Sequence, residues 1–173
     1  MSGRCLLRRM GREIERKFLV SGMDWKRGAH GRRIRQGYLS LDKERTVRVR
    51  VVDEQAWLTI KGLTTGCTRA EFEYPLPVAD ARRLLDEFCH QPVIDKTRYT
   101  IRHAGHTWDV DEFHGANAGL VIAEIELRDE AETFERPGWV TDEVSLDPRY
   151  FNARLVRHPF SEWPAAEADA DAG

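Results

Sequence analysis

Thr46-Val47-Arg48-Val49-Arg50-Val51-Val52 is the stretch that decides the fold. Side chains on a strand alternate between faces, so Val47, Val49 and Val51 fall on one side and Arg48 and Arg50 on the other. Valine suits a pleated, packed surface, so this reads as a strand with one apolar and one cationic face. The same period of two extends in both directions along the chain. Candidate strands are Glu13–Val20, Ile34–Leu41, Thr46–Val52, Ala56–Gly62, Arg69–Leu76, Lys96–His103, Thr107–Phe113 and Leu120–Leu127. Turn signals at Asp53-Glu54, Gly62 to Gly66 and Ala104-Gly105 separate several of them. Helical spacing appears in Val78–His90, where Ala81, Leu84, Leu85 and Phe88 share a face. A second helix is expected from the cap Asp147-Pro148 to about Arg157. The expectation is an α+β, mainly β domain: an eight-stranded antiparallel sheet that closes or curls into a C-shape, with a few flanking helices.

The polar face of these strands carries same-sign pairs. Glu13, Glu15 and Lys17 alternate on the first strand, and Lys61 falls with Thr59 and Trp57 on the fourth. Glu71/Glu73, Lys96/Arg98, Asp109/Asp111 and Glu124/Glu126 follow. A merely wetted face mixes Thr, Ser, Gln and Lys; this one, curled inward, would enclose a charged channel. Such a channel is costly unless its charges meet each other, a metal ion or a charged ligand. Only five of the 27 basic residues are lysines, yet Lys17, Lys61 and Lys96 all lie on this face. A compact ammonium, or one that can lose its proton, explains that choice better than arginine would.

Composition bounds the remainder. The chain has 173 residues, 41% hydrophobic and 32% charged, which fits one domain. A net charge of −2 argues against nucleic-acid binding through a bulk positive field. No apolar run reaches membrane-spanning length, and the Arg-rich start lacks the apolar centre of a signal peptide. Cys5, Cys67 and Cys89 show no paired spacing and read as reduced thiols of a cytoplasmic protein. Residues 1–10 read as an N-terminal extension, 11–160 as the domain and 161–173 as an acidic, Ala-rich disordered tail.

The ordered set of motifs resembles the CYTH superfamily of triphosphate tunnel metalloenzymes. It comprises Glu13-Ile14-Glu15-Arg16-Lys17, Arg35-Gln36-Gly37-Tyr38-Leu39, Thr46-Val47-Arg48-Val49-Arg50 and Leu58-Thr59-Ile60-Lys61-Gly62. Arg69-Ala70-Glu71-Phe72-Glu73-Tyr74-Pro75-Leu76, Lys96-Thr97-Arg98-Tyr99, Trp108-Asp109-Val110-Asp111, Ala123-Glu124-Ile125-Glu126-Leu127 and Tyr150-Phe151-Asn152 complete it. The resemblance implies a β-tunnel that binds a triphosphate chain and a divalent metal. Phosphate oxygens call for Arg forks and Lys point charges, which Lys17, Arg48, Arg50, Lys61, Lys96 and Arg98 supply. Arg154, after Tyr150 and Asn152, resembles the basic residue on the helix that closes one tunnel mouth. The all-oxygen set Glu13, Glu15, Asp111, Glu124 and Glu126 suits Mg²⁺ or Mn²⁺. Glu71, Glu73 and Asp109 are read as supporting carboxylates that pair with the basic residues. By the same resemblance Lys17 and Tyr38 form a catalytic pair that orients or deprotonates the attacking water.

The implied activity is metal-dependent hydrolysis of a triphosphate, foremost inorganic triphosphate, to pyrophosphate and phosphate. Thiamine-triphosphatase and class IV adenylyl cyclase activities are alternatives within the family. A non-catalytic polyphosphate or nucleotide-triphosphate binding module is the alternative from another class. The expected partner is a small triphosphate, with no nucleic acid and no membrane, acting on a monomer or homodimer. There is no Gly-Lys dipeptide and hence no P-loop, and no H-E-x-x-H or G-x-S-x-G. His103 and His106 flank a turn and are read as structural rather than zinc ligands.

Overall fold

The computed structural model describes residues 14–65 and 68–164. Alternation produces the expected strands with ends shifted by up to three residues: β1 (Ile14–Val20), β2 (Gly31–Ser40), β3 (Arg45–Val52), β4 (Gln55–Thr65), β5 (Thr68–Leu76), β6 (Ile94–His103), β7 (His106–Phe113) and β8 (Val121–Leu127). A ninth strand, β9 (Val140–Glu143), escapes the sequence reading because it is four residues long and pairs only with β1. All pairings are antiparallel, in the order β5-β4-β3-β2-β6-β7-β8-β1-β9. No pairing among the described residues joins β5 to β9, so the sheet is the curled, C-shaped alternative.

Two helices flank the sheet. The first, α1 (Val78–Glu87), ends three residues before the expected His90. Its exit is set by the sheet: the Phe88 and Cys89 amides both donate to Leu84 O, and the His90 amide donates to Tyr38 O at 2.9 Å. A side chain on Gly37 would sit 2.8 Å from Cys89 Cβ, so glycine there lets the helix exit approach β2. The second expected helix is broken. Asp147 caps as expected, accepting from the Arg149 amide, but only a 3-10 turn, Pro148–Tyr150, follows. Phe151 is extended, and α2 (Asn152–Arg157) begins after it. The break rephases the chain so that Tyr150, Leu155 and Val156 are all buried.

The outer face of the sheet packs against two covers. Val49, Val51 and Ala56 meet Ala81 and Leu85 of α1. Phe18, Trp108, Val110, Ala123 and Ile125 pack with Trp25, Phe134 and Trp139. Burying each such side chain contributes roughly 1.5–3 kcal/mol, which fixes the register and leaves the charged residues on the concave face.

The concave face is tiered. Leu19, Tyr38, Ile94, Phe113 and Ile122, from five strands, form one apolar cluster with Tyr150, Leu155, Val156 and Trp163. The C-terminal segment therefore stops one end of the concavity, and packing reaches Trp163, past the boundary expected at residue 160. Two residues along each strand from this cluster stand Lys17, Gln36, Lys96, Asp111 and Glu124, every one of them buried. Two residues further stand Glu15, Ile34, Arg98, Asp109 and Glu126. Along β1, β6 and β8 exposure rises from the apolar tier outward, and side-chain exposure reaches 48% at Glu15, so the mouth lies on that side.

Candidate active site

The wall formed by β6, β7, β8 and β1 is an ion lattice. Lys96 Nζ lies 2.5 Å from Asp111 Oδ2. Arg98 donates from Nε to Asp111 Oδ1 at 2.7 Å, and from Nη2 to Asp111 Oδ2 and Glu124 Oε2, both at 2.6 Å. Its Nη1 reaches Asp109 Oδ2 at 3.1 Å. Lys17 bonds to Glu15 and to Glu124, its directly opposite neighbour in the β1–β8 register. Burial disfavours every charge here, and the partners decide the outcome. Burial alone would raise Glu124, but Lys96, Arg98 and Lys17 push it down to about 2. Lys17 is raised, because Glu124 and Glu15 outweigh its burial. For Lys96 burial prevails, helped by Arg98, and its pKa is lowered despite Asp111 and Glu124.

The opposite wall, β3 with β4 and β2, is different. Neither Arg48 nor Arg50 has an ion pair with a described carboxylate. Arg48 Nη2 reaches only Thr59 Oγ1 at 3.3 Å, and Arg50 Nε donates to Gln36 Oε1 at 3.3 Å. Burial, Arg48 and Arg98 lower Arg50 to about 10. Two buried donors, Arg48 Nε and Gln36 Nε2, have no hydrogen-bond partner. A cavity of about 210 Å³ opens beside Arg48, lined by Tyr38, Thr46, Arg48, Lys61 and Ala153. Lys61 pairs with Glu71 at 2.9 Å, and Thr59 donates to Glu73 at 3.3 Å. A cation-rich wall with orphaned donors is built for an anion.

Most of the expected residues converge. Lys17, Tyr38, Arg48, Arg50, Lys61, Lys96, Arg98, Asp109, Asp111, Glu124, Glu126, Glu15, Glu71 and Glu73 share the concave face by register. Arg154 is exposed on α2, and its neighbour Ala153 lines the cavity instead. Glu13 lies outside the described residues. Tyr38 joins the apolar tier, while the Lys17 ammonium is bonded to Glu15 and Glu124. His103 and His106 pair with Glu135 and Glu132 beside the hairpin turn. Gln36 and Thr59, 1% and 0% exposed, were not singled out from the sequence. Alternation already placed Thr59 on the face of Lys61, and the same step back from Tyr38 would have found Gln36.

The carboxylates fit a hard divalent cation in chemistry more than in number. Glu15 and Glu126 oppose each other directly across β1 and β8 near the mouth, and Glu126 has no ion pair with a described residue. All-oxygen donors of this kind suit Mg²⁺ or Mn²⁺. Deeper in, Asp111 and Glu124 each have both carboxylate oxygens bonded to cations, Asp111 to Lys96 and Arg98 and Glu124 to Lys17 and Arg98. Among the described residues no three His, Cys, Asp or Glu side chains gather closely enough to hold a metal.

A β-tunnel stopped at one end, with a basic wall facing an acidic one, defines a class of phosphate-handling proteins. The CYTH domain model matches residues 11–154, and the chain belongs to the CYTH family. It is 51% identical over 154 residues to the inorganic triphosphatase of Acetivibrio thermocellus, covering 89% of this chain and 99% of that one. The inorganic triphosphatase of Nitrosomonas europaea is 33% identical over 148 residues, covering 83% and 96%. A crystal structure of an inorganic triphosphatase superposes with TM-score 0.66 at 31% identity, over 83% of this chain and 93% of that chain. A Bacillus halodurans adenylate-cyclase-like structure shares the fold at TM-score 0.53 and 17% identity, over 69% of this chain and 82% of that one.

Proposed function

We propose that this protein is a metal-dependent inorganic triphosphatase, cleaving tripolyphosphate to pyrophosphate and phosphate within the tunnel. The observation that carries the reading is the basic wall's two half-buried arginines: Arg48 and Arg50 have no ion pair with a described carboxylate, and Arg48 Nε has no hydrogen-bond partner. Together with its likeness to the two triphosphatases, this favours a compact polyanion over a neutral ligand. Arg48, Arg50 and Lys61 bind the phosphate chain from one side; Lys96 and Arg98 approach it from the other. A guanidinium or ammonium held there also offsets charge that develops as the terminal phosphoryl group leaves.

Glu15, Glu124 and Glu126, with Glu13, hold Mg²⁺ or Mn²⁺, which when bound polarises the terminal phosphate. Asp111 borders the same set and keeps Lys96 and Arg98 in place. Lys17, poised between Glu15 and Glu124, orients the attacking water, with Tyr38 bordering the same space. The apolar end stopped by Leu155 and Val156 keeps bulk water out of that side. Among the described residues no helix is long and apolar enough to cross a membrane. The free, buried thiol of Cys89 suits a reducing, cytoplasmic setting.

The test is phosphate release from tripolyphosphate, ATP and thiamine triphosphate, each with Mg²⁺ and with Mn²⁺. Tripolyphosphate should be turned over fastest. Preference for ATP or thiamine triphosphate would reassign the substrate, and binding without turnover would favour a sensor.

A further inference from the structure

The middle tier of the tunnel holds one amide among its charges. Gln36 lies on β2, directly opposite Arg50 on β3 and Ile94 on β6, and is 1% exposed. Its Oε1 accepts from Arg50 Nε at 3.3 Å. That contact sets the orientation of the amide, because the reverse would bring an NH₂ group against the Arg50 N–H. Nε2 is therefore directed away from Arg50, and it is buried with no partner. A second orphaned donor, Arg48 Nε, stands on the same wall, one alternation along β3. Native interiors leave few buried donors unmade, so two on one anion-facing wall call for a shared acceptor.

We propose that Gln36 binds the phosphate chain directly: Nε2 donates to a non-bridging phosphate oxygen while Oε1 holds the Arg50 guanidinium toward the same chain. This rests on the triphosphatase reading and adds to it a neutral residue that composition does not mark. The choice of an amide has a physical reason. Burial, with the nearby charges of Arg48 and Arg98 added, already lowers the Arg50 pKa to about 10. Another buried cation would add repulsion in the empty tunnel, whereas an amide adds a donor that carries no charge.

The experiment uses the full chain and four variants: Gln36→Met, Gln36→Asn, Arg50→Lys, and Gln36→Met with Arg50→Lys. Tripolyphosphate binding is measured by calorimetry with metal chelated, and KM and kcat are measured with saturating Mn²⁺. Gln36→Met should weaken binding about ten- to a hundredfold, as for a hydrogen bond to a charged group. KM should rise more than kcat falls. The loss should persist in the Arg50→Lys background, since lysine offers no Nε to be oriented. Gln36→Asn keeps the amide but withdraws it by one methylene, so it should show the same loss even if the methionine variant folds poorly. Disappearance of the loss in the Arg50→Lys background would overturn direct donation and leave Gln36 only positioning Arg50. Binding within twofold of the parent in both Gln36 variants would overturn the proposal outright. Failure of the unaltered protein to bind or cleave tripolyphosphate would instead bring down the triphosphatase reading, and this proposal with it.

Discussion

Glu15 and Glu126 face each other directly across β1 and β8, two carboxylates in one register pair at the open side of the tunnel. Like charges directly opposite are destabilising by a few tenths of a kcal/mol to about 1 kcal/mol. Glu15 has Lys17 to offset it, whereas Glu126 has no ion pair with a described residue. Under the proposed function, a divalent cation held there would resolve the repulsion.

Replacement of Glu126 by Gln should therefore leave the metal-free protein as stable or slightly more so. Its activity should need about tenfold more Mg²⁺ or Mn²⁺, the effect of losing one charged contact of about 1.5 kcal/mol or more. Thermal melts in chelator and activity titrated against metal read the two effects separately. An unchanged metal requirement would remove Glu126 from the metal set.

Acid should destabilise the fold through Glu124. Its pKa is held near 2 in the folded chain against an ordinary 4.5, because Lys96, Arg98 and Lys17 outweigh its burial. A depressed carboxylate contributes stability that is complete above about 4.5 and is lost as pH falls toward 2. The melting temperature should drop through that window. Glu124→Gln should be less stable than the parent at pH 7, with the difference shrinking as the pH falls from 5 to about 2. A constant difference across that range would mean that the Glu124 charge is not what the lattice stabilises.

How much of this was legible in the sequence follows from burial. Val49 and Val51 pack against α1 while Arg48 and Arg50 turn inward, and that contrast prints a period of two that any window detects. The same contrast located nearly the whole charged face. Strand β9 was missed because Val140–Glu143 is short, half polar and dependent on β1 for its partner. The break at Phe151 was missed because it comes from the need to bury Tyr150 and Leu155 together, a tertiary demand absent from local propensity. Gln36 and Thr59 were given no role because they are uncharged, although Thr59 had been placed on the face of Lys61; burial is what marks them. The cationic partners of Asp111 and Glu124 are visible only in three dimensions.

The stopped end of the tunnel gives a stability prediction. Leu155 is fully buried where α2 meets the apolar tier. Leu155→Ala should cost about 2–5 kcal/mol, lowering the melting temperature by roughly 2–4 °C per kcal/mol. Well below the transition, KM should stay within about twofold of the parent, because Leu155 belongs to the apolar cluster and not to the charged tiers. A large KM change at low temperature would mean that the plug shapes the phosphate site itself.

The two walls should respond oppositely to loss of an arginine. Arg98→Ala strips cations from Asp111, whose side chain is 1% exposed, and from Glu124. Breaking a buried pair by removing one partner costs about 3–5 kcal/mol, so this variant should melt far below the parent. Arg50→Ala removes no ion pair. It loses one hydrogen bond to Gln36, worth about 1 kcal/mol, and relieves repulsion from Arg48 and Arg98. Its packing partners are untouched, because Val49 and Val51 carry the contacts with α1. The melting temperature of Arg50→Ala should thus stay within a few degrees of the parent. Its KM for tripolyphosphate should nonetheless rise about ten- to a hundredfold, since a charge-assisted contact to the phosphate chain is gone. Melting curves alongside KM and kcat at low temperature separate the two cases. If both variants lost stability equally, or if Arg50→Ala bound tripolyphosphate normally, the division into a self-paired wall and an anion-binding wall would be wrong.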